Sequence, residues 1–199
     1  MSFLTLITKP KEIPCMKPLI FFSIIAMLLL GLTASVKKTS HSVTFKRKLS
    51  ADSSSYYIIV DKSDFELKVY DAEGWYATYP VVFGSKDQGD KLREGDKRTP
   101  NGKFKVILKK IHPKWSYEFL LDYPTPENVE QFKVRKEQGL IPKNAKIGSG
   151  IAIHATRPQE EWTIDKFYNW TDGCVSLKYT EMQDLYSYIP LGTTVTIQP

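Results

Sequence analysis

Residues 56–199 are expected to fold as one mainly β domain, a curved sheet or β-sandwich carrying one or two short helices. Three observations predict this. Apolar and polar residues alternate at period two, as in Phe65, Leu67 and Val69 against Glu66, Lys68 and Tyr70, which is the pattern of a half-buried strand. Turn-forming residues separate these segments, and only two stretches carry helix start and stop signals. With 42% hydrophobic and 13% aromatic residues and no low-complexity tract or internal repeat, the chain has the material for a packed core without disulfides.

Taken in order, Tyr56 to Val60 and Phe65 to Tyr70 read as strands, and the turn Asp71-Ala72-Glu73-Gly74 leads into a third, Trp75 to Phe83, giving a meander. Thr99-Pro100-Asn101-Gly102 reads as a turn into Lys103 to Leu108, with Phe104, Val106 and Leu108 on one face. Thr125-Pro126-Glu127 supplies an N-cap, a first-turn proline and an early acid, and Gly139 a stop, so residues 126–138 are expected to be helical. Ile151 to His154 is a short apolar strand, and Val175 to Leu177 a short apolar stretch. A capping box at Thr180 and Gln183 opens a helix whose Met182, Leu185, Tyr186 and Ile189 form a core stripe, ended by Pro190 and Gly192. Thr193 to Ile197 is the last strand.

The segment before this domain is organised differently. Leu19 to Val36 is almost unbroken apolar sequence behind Lys9, Lys11 and Lys17, the pattern of an export signal, and residues 1–36 are read as a signal peptide or a membrane anchor. Met16-Lys17 opens a shorter leader of the same kind, so Met1 and Met16 are both candidate starts. Residues 37–55 read as a basic flexible tether. Residues 37–48 hold Lys37, Lys38, Lys46, Arg47 and Lys48 and no acid, while residues 49–199 hold 20 Lys and Arg against 21 Asp and Glu. The net charge of +6 therefore belongs to leader and tether, which fits an anionic membrane surface and not a nucleic-acid partner.

There are two cysteines, and Cys15 lies in the leader. Cys174 is thus alone in an exported domain, where an unpaired thiol is a buried inert residue, one half of an intermolecular bridge, or a nucleophile. It follows the polar turn Thr171-Asp172-Gly173, where glycine lets a substrate approach the backbone. A thiol is mostly protonated at neutral pH and needs a base, and His154, at the end of its apolar strand, is the candidate. Three histidines and one usable cysteine do not make a conventional zinc site, so neither metal nor other cofactor is expected.

His154, sixteen residues, then Thr171-Asp172-Gly173-Cys174-Val175-Ser176 resembles the signature of the L,D-transpeptidase (YkuD-type) family. Ile58-Ile59-Val60-Asp61-Lys62 with Leu67-Lys68-Val69-Tyr70 resembles its opening strands, and Gly95-Asp96-Lys97-Arg98-Thr99-Pro100-Asn101-Gly102-Lys103-Phe104 resembles its G-(D/E)-x-x-TP-x-G segment. The resemblance implies Cys174 as nucleophile, His154 as general base with its other ring nitrogen on the carbonyl of Ala155, and an oxyanion hole from the backbone of Cys174 with Thr171 to Gly173. The implied partner is a peptidoglycan stem peptide, cleaved at its terminal D-Ala, with the acyl group passed to an amine.

Some positions depart from the family. Asp172 stands where many members have a second histidine and reads as a turn residue; Ser176 stands where many have Arg or Asn; Ala155 replaces a frequent glycine but keeps its carbonyl. Water as acceptor, making a carboxypeptidase or amidase, and a non-catalytic, membrane-tethered wall-binding protein stay open as alternatives. Arg157, Lys166 and Trp170, between base and nucleophile, are further candidates for binding a charged peptide. Cys174 is expected at the mouth of a groove partly covered by residues 111–147, in a monomer.

Overall fold

The computed structural model describes residues 56–199, so the leader and tether read at 1–36 and 37–55 lie outside the described residues. Within them the strands are β1 (Tyr57–Asp61), β2 (Glu66–Asp71), β3 (Gly74–Pro80), β4 (Gly102–His112), β5 (Ser116–Leu121), β6 (Ala152–Ala155), β7 (Val175–Leu177) and β8 (Thr194–Gln198). The helices are α1 (Pro126–Glu137), α2 (Trp162–Asp165) and α3 (Tyr179–Tyr188), with a 3-10 turn at Pro158–Glu160. Among the described residues no helix is long and apolar enough to cross a membrane.

The strands form one sheet in the order β3-β2-β1-β8-β4-β5-β6-β7. The expected meander is β1 to β3, and β2 buries Leu67 and Val69 while Glu66, Lys68 and Tyr70 face partly outward, as the alternation requires. The C-terminal β8 inserts between β1, parallel, and β4, antiparallel. β4 pairs with β8 through Gly102–Lys105 and with β5 from Val106 onward, so one long strand carries the sheet around its bend. At the far edges, Val82 and Ser176 exchange backbone hydrogen bonds of 3.0 and 2.9 Å, which brings the segment after β3 against β7 and nearly closes the sheet into a barrel.

Inside lie Ile58, Val60, Leu67, Val69, Phe104, Phe119, Ile153, Val175 and Leu177, joined by Met182, Leu185 and Ile189 from α3 and its end. Each such side chain contributes about 1.5–3 kcal/mol on burial, which fixes the faces of the strands and so the direction of every residue on them.

Three local expectations are corrected. Leu108 was expected beside Phe104 and Val106, but it is 42% exposed, because a register shift between Val106 and Leu108 moves the alternation by one residue. α3 begins at Tyr179 behind Lys178, not at a Thr180 cap, since the Glu181 carboxylate reaches back 3.3 Å to the Lys178 N–H. Residues 111–147 do not simply cover a groove, for Ser116–Leu121 is an internal strand between β4 and β6. The predicted helix α1 does form: Thr125 accepts from the Asn128 N–H, and Asn128 Oδ1 accepts from Thr125 N–H at 3.0 Å. No α1 residue is buried; Arg135 ties the helix to Asp90 and to the Lys91 carbonyl at 2.6 and 2.9 Å.

Candidate functional site

β6 and β7 run parallel, with Ile153 opposite Val175, His154 opposite Ser176 and Ala155 opposite Leu177. Partners in a parallel pair share a face, and residues two apart on a strand share it too. Cys174, two before Ser176, is therefore a diagonal neighbour of His154 on one face, a spacing of about 7–8 Å between backbones that side chains can span. Cys174 is partly exposed, and its Sγ lies 3.6 Å from the Gly150 carbonyl, to which the thiol is turned. His154 is 4% exposed, and its Nδ1 lies 2.9 Å from the Ala155 carbonyl. A carbonyl can only accept, so this bond holds the proton on Nδ1 and leaves Nε2 with its lone pair.

The turn before Cys174 is held from three directions. Thr171 Oγ1 donates to the Cys174 carbonyl at 2.8 Å and accepts from the Gly173 N–H at 3.2 Å. Gly173 has φ +130°, and a Cβ there would lie 2.7 Å from the Arg98 carbonyl and 3.3 Å from Ile151 Cδ1. Behind it, a Cβ on Gly84 would collide with the carbonyls of Lys97 and Thr171 and lie 2.7 Å from Gly173 N. The Lys97-Arg98 backbone and the residues after β3 thus press directly on this turn, which only glycines permit.

Beside Cys174 opens a cleft of about 440 Å³, walled by Gly150 and Ile151 and by the charged Lys91, Glu94 and Asp172. Lys91 is 5% exposed and holds Asp96 at 2.8 Å and the Arg98 carbonyl at 3.3 Å. Burial pushes the Cys174 thiol up to about 11; the Ala152 backbone N–H opposes this, the charges of Glu118 and Asp172 add to it, and Lys91 offsets them in part. Burial also lowers His154 below the ordinary histidine value, against the Ala155 hydrogen bond and the charge of Glu118. At rest, then, the pair is a neutral thiol beside a neutral imidazole. Its surroundings are aromatic: Trp115 and Trp170 flank His154 with ring centroids at 5.3 and 5.6 Å and stand 5.0 Å from each other.

Of the residues singled out in the sequence, Cys174, His154, Ala155, Gly173, Thr171 and Asp172 gather here, and Ser176 and Trp170 line their back. Ser176 is fully buried, and its Oγ and the Trp170 Nε1 have no hydrogen-bond partner among the described residues. Arg157 reaches the cluster through Trp115, its guanidinium 5.5 Å from that ring, while pairing with Glu160 at 3.2 Å. Lys166 does not join; its ammonium lies over Trp162. Lys91, Glu118 and Trp115 were missed. Glu118 is placed by pairing of β5 with His154, and Trp115 by the β4–β5 turn, and neither strand pairing has a local sequence signal. Gly84, the one glycine closing the apolar run Val81 to Phe83, was the readable hint of close backbone approach. Among the described residues no three His, Cys, Asp or Glu side chains stand together as a metal ion would need.

The family profile described as "YkuD: L,D-transpeptidase catalytic domain" matches residues 55–197. Among solved structures, the helical cell shape determining protein Pgp2 from Campylobacter jejuni is similar at 24% identity and a TM-score of 0.53, over 72% of this chain and 47% of that one. Bd1075 from Bdellovibrio bacteriovorus is similar at 22% identity and a TM-score of 0.50, over 80% and 51%. No curated protein sequence matches the chain. The chain spans about half the length of these two structures, and at such identities the likeness speaks for the fold.

Proposed function

The chain belongs to the L,D-transpeptidase (YkuD) catalytic-domain family, and from that premise we propose that it is an exported acyltransferase acting on peptidoglycan stem peptides, with Cys174 as nucleophile and His154 as base. The observation that carries this reading is the register of β6 and β7, which makes the buried His154 a diagonal neighbour of Cys174, the residue that lines the 440 Å³ cleft.

In the proposed first step His154 Nε2 takes the thiol proton as Sγ attacks the carbonyl joining the L-centre of diaminopimelate to terminal D-Ala. The Ala155 carbonyl steadies the imidazolium that forms, through Nδ1. The oxyanion is received by the backbone N–H of Cys174, with that of Asp172 beside it; the N–H groups of Gly173 and Thr171 are taken by Thr171 Oγ1 and the Phe83 carbonyl, and hold the turn rigid for such a preorganised role. The imidazolium returns its proton to the departing amine of D-Ala, leaving a thioester. An amine then attacks the thioester, His154 takes its proton, and Sγ leaves as the thiol is restored. Sγ turns from the Gly150 carbonyl toward the ring as substrate binds, catalytic contacts often tightening only then.

Glu94 and Asp172 at the cleft favour an amine acceptor over water, because an acidic wall attracts the cationic side chain of a second diaminopimelate. The leader and basic tether favour a place at the outer face of the membrane, close to the wall polymer. The test is to incubate the full chain with a disaccharide tetrapeptide and follow products by mass spectrometry, beside Cys174→Ala. Peptide dimers with loss of D-Ala, absent in the variant, are the expected result. Tripeptide with free D-Ala and no dimer replaces transfer by hydrolysis; no product together with ordinary alkylation of Cys174 replaces catalysis by wall binding.

A further inference from the structure

A second, smaller pocket of about 200 Å³ shares no lining residue with the Cys174 cleft. Its apolar walls are Phe65 and Phe83, whose ring centroids are 5.7 Å apart. Phe65 is held at φ 57°, a left-handed backbone conformation that strains a non-glycine residue. At its base is Lys62, 3% exposed, whose ammonium donates to the carbonyls of Gly89 and Thr99 at 3.1 and 3.3 Å and has no carboxylate partner among the described residues. A buried ammonium bonded to neutral carbonyls, with Asp90 and Asp87 acting on it only from beyond contact, has little to offset its desolvation. Thr99 lines the same pocket and is 1% exposed, and its hydroxyl has no partner among the described residues. A cation with one donor to spare and an orphaned hydroxyl therefore meet at the floor of an apolar recess.

We propose that this pocket binds the carboxylate of a small molecule with a short apolar body, held by the Lys62 ammonium and the Thr99 hydroxyl. Asp87 at the rim does not oppose it, because its charge is met by the Arg98 guanidinium. The exposed Lys86 adds a positive edge at the entrance. Burial lowers Lys62 to about 8, with Asp90 and Asp87 opposing and Arg98 reinforcing, so the ammonium is present at neutral pH and an arriving anion favours it. The site is distinct from the Cys174 cleft and does not rest on the proposed acyl transfer.

The test is saturation-transfer NMR on the full chain in uncharged detergent micelles, with isobutyrate and D-alanine as probes and isobutyramide as the neutral isostere. Expected is isobutyrate binding with a Kd on the order of 1 mM, weakened at least tenfold by Lys62→Met and about threefold to tenfold by Thr99→Val, and weakening as pH rises past about 8. Equal binding of D-alanine assigns the site to free amino acids, and its failure to bind assigns it to simple aliphatic acids; both support the carboxylate site. Absence of binding by both probes overturns the proposal, as does isobutyramide binding equally well. Should Lys62→Met not fold, as judged by circular dichroism, Thr99→Val and the pH dependence of the wild type decide.

Discussion

If the Cys174–His154 pair rests as thiol and neutral imidazole, the reactivity of Cys174 should track the deprotonation of a buried thiol. Burial places that thiol at about 11, against an ordinary value of 9.0. At pH 7 the thiolate then amounts to about one part in ten thousand, roughly a hundredfold less than for the unshifted thiol. Because the raised value delays deprotonation, the alkylation rate should climb about tenfold per pH unit all the way from 7 to 10. An unshifted thiol would level off from about pH 9. The assay is the rate of iodoacetamide addition to the intact chain by mass spectrometry between pH 6.5 and 10, with near-ultraviolet circular dichroism confirming the fold at each point. A rate already flat below pH 8 would mean a preformed thiolate–imidazolium pair and would refute the electrostatic reading of the site. His154→Ala should leave this slope in place while abolishing turnover, since iodoacetamide reports the thiolate and the substrate reaction needs the base.

Burial lowers His154, so the neutral base persists as pH falls through 6.5 and is lost only further down; kcat/KM should hold to below pH 6.5, and an acid limb at or above 6.5 contradicts this. Gly173→Ala adds a Cβ 2.7 Å from the Arg98 carbonyl at φ +130°, which should lower stability by about 2–5 kcal/mol in urea unfolding; a loss under about 0.5 kcal/mol would show that the turn can shift freely. Thr171→Val removes both hydrogen bonds that tie Gly173 and Cys174 and should cost ~1–3 kcal/mol, read in urea, and at least tenfold in kcat/KM. Ser176→Ala removes a buried hydroxyl without a partner and should raise stability by ~1 kcal/mol; unchanged stability with lost turnover would instead give that hydroxyl a part in the reaction.

Much of this was legible because it is local. The alternation in Phe65 to Tyr70 reports directly which side of β2 meets the core, and Thr125-Pro126 marks a helix start by the chemistry of its own backbone. The cysteine and histidine could be paired because their neighbours match a family signature and not because anything in the chain gives their separation in space. What stayed hidden is set by strand pairing. β5 escaped notice because its polar start, Ser116-Tyr117-Glu118, does not alternate cleanly, and Glu118 is buried only because β4 and β6 flank it. The Leu108 error has the same origin, since a bulge is chosen by the partner strand and leaves no mark in the hydrophobic pattern. Lys91 was unreadable for a related reason: a lysine is expected outside until Asp96 and the Arg98 carbonyl are seen to receive it.

The parallel pairing of β6 and β7 has one more consequence. A parallel pair cannot be joined by a tight hairpin, so the chain must leave the sheet after Ala155 and return at Val175, and residues 156–174 make that journey outside the ladder. The ladder fixes where the journey starts and ends but not how long it is, and doubling such an excursion adds only about 0.6 kcal/mol of closure entropy. The outer part of this excursion, where Trp162 and Tyr168 are half exposed, is therefore a place where sequence can be inserted, trimmed or exchanged between relatives while His154 and the Cys174 turn keep their positions. Length changes there act like slack in a loop of rope whose two ends are pegged by the ladder.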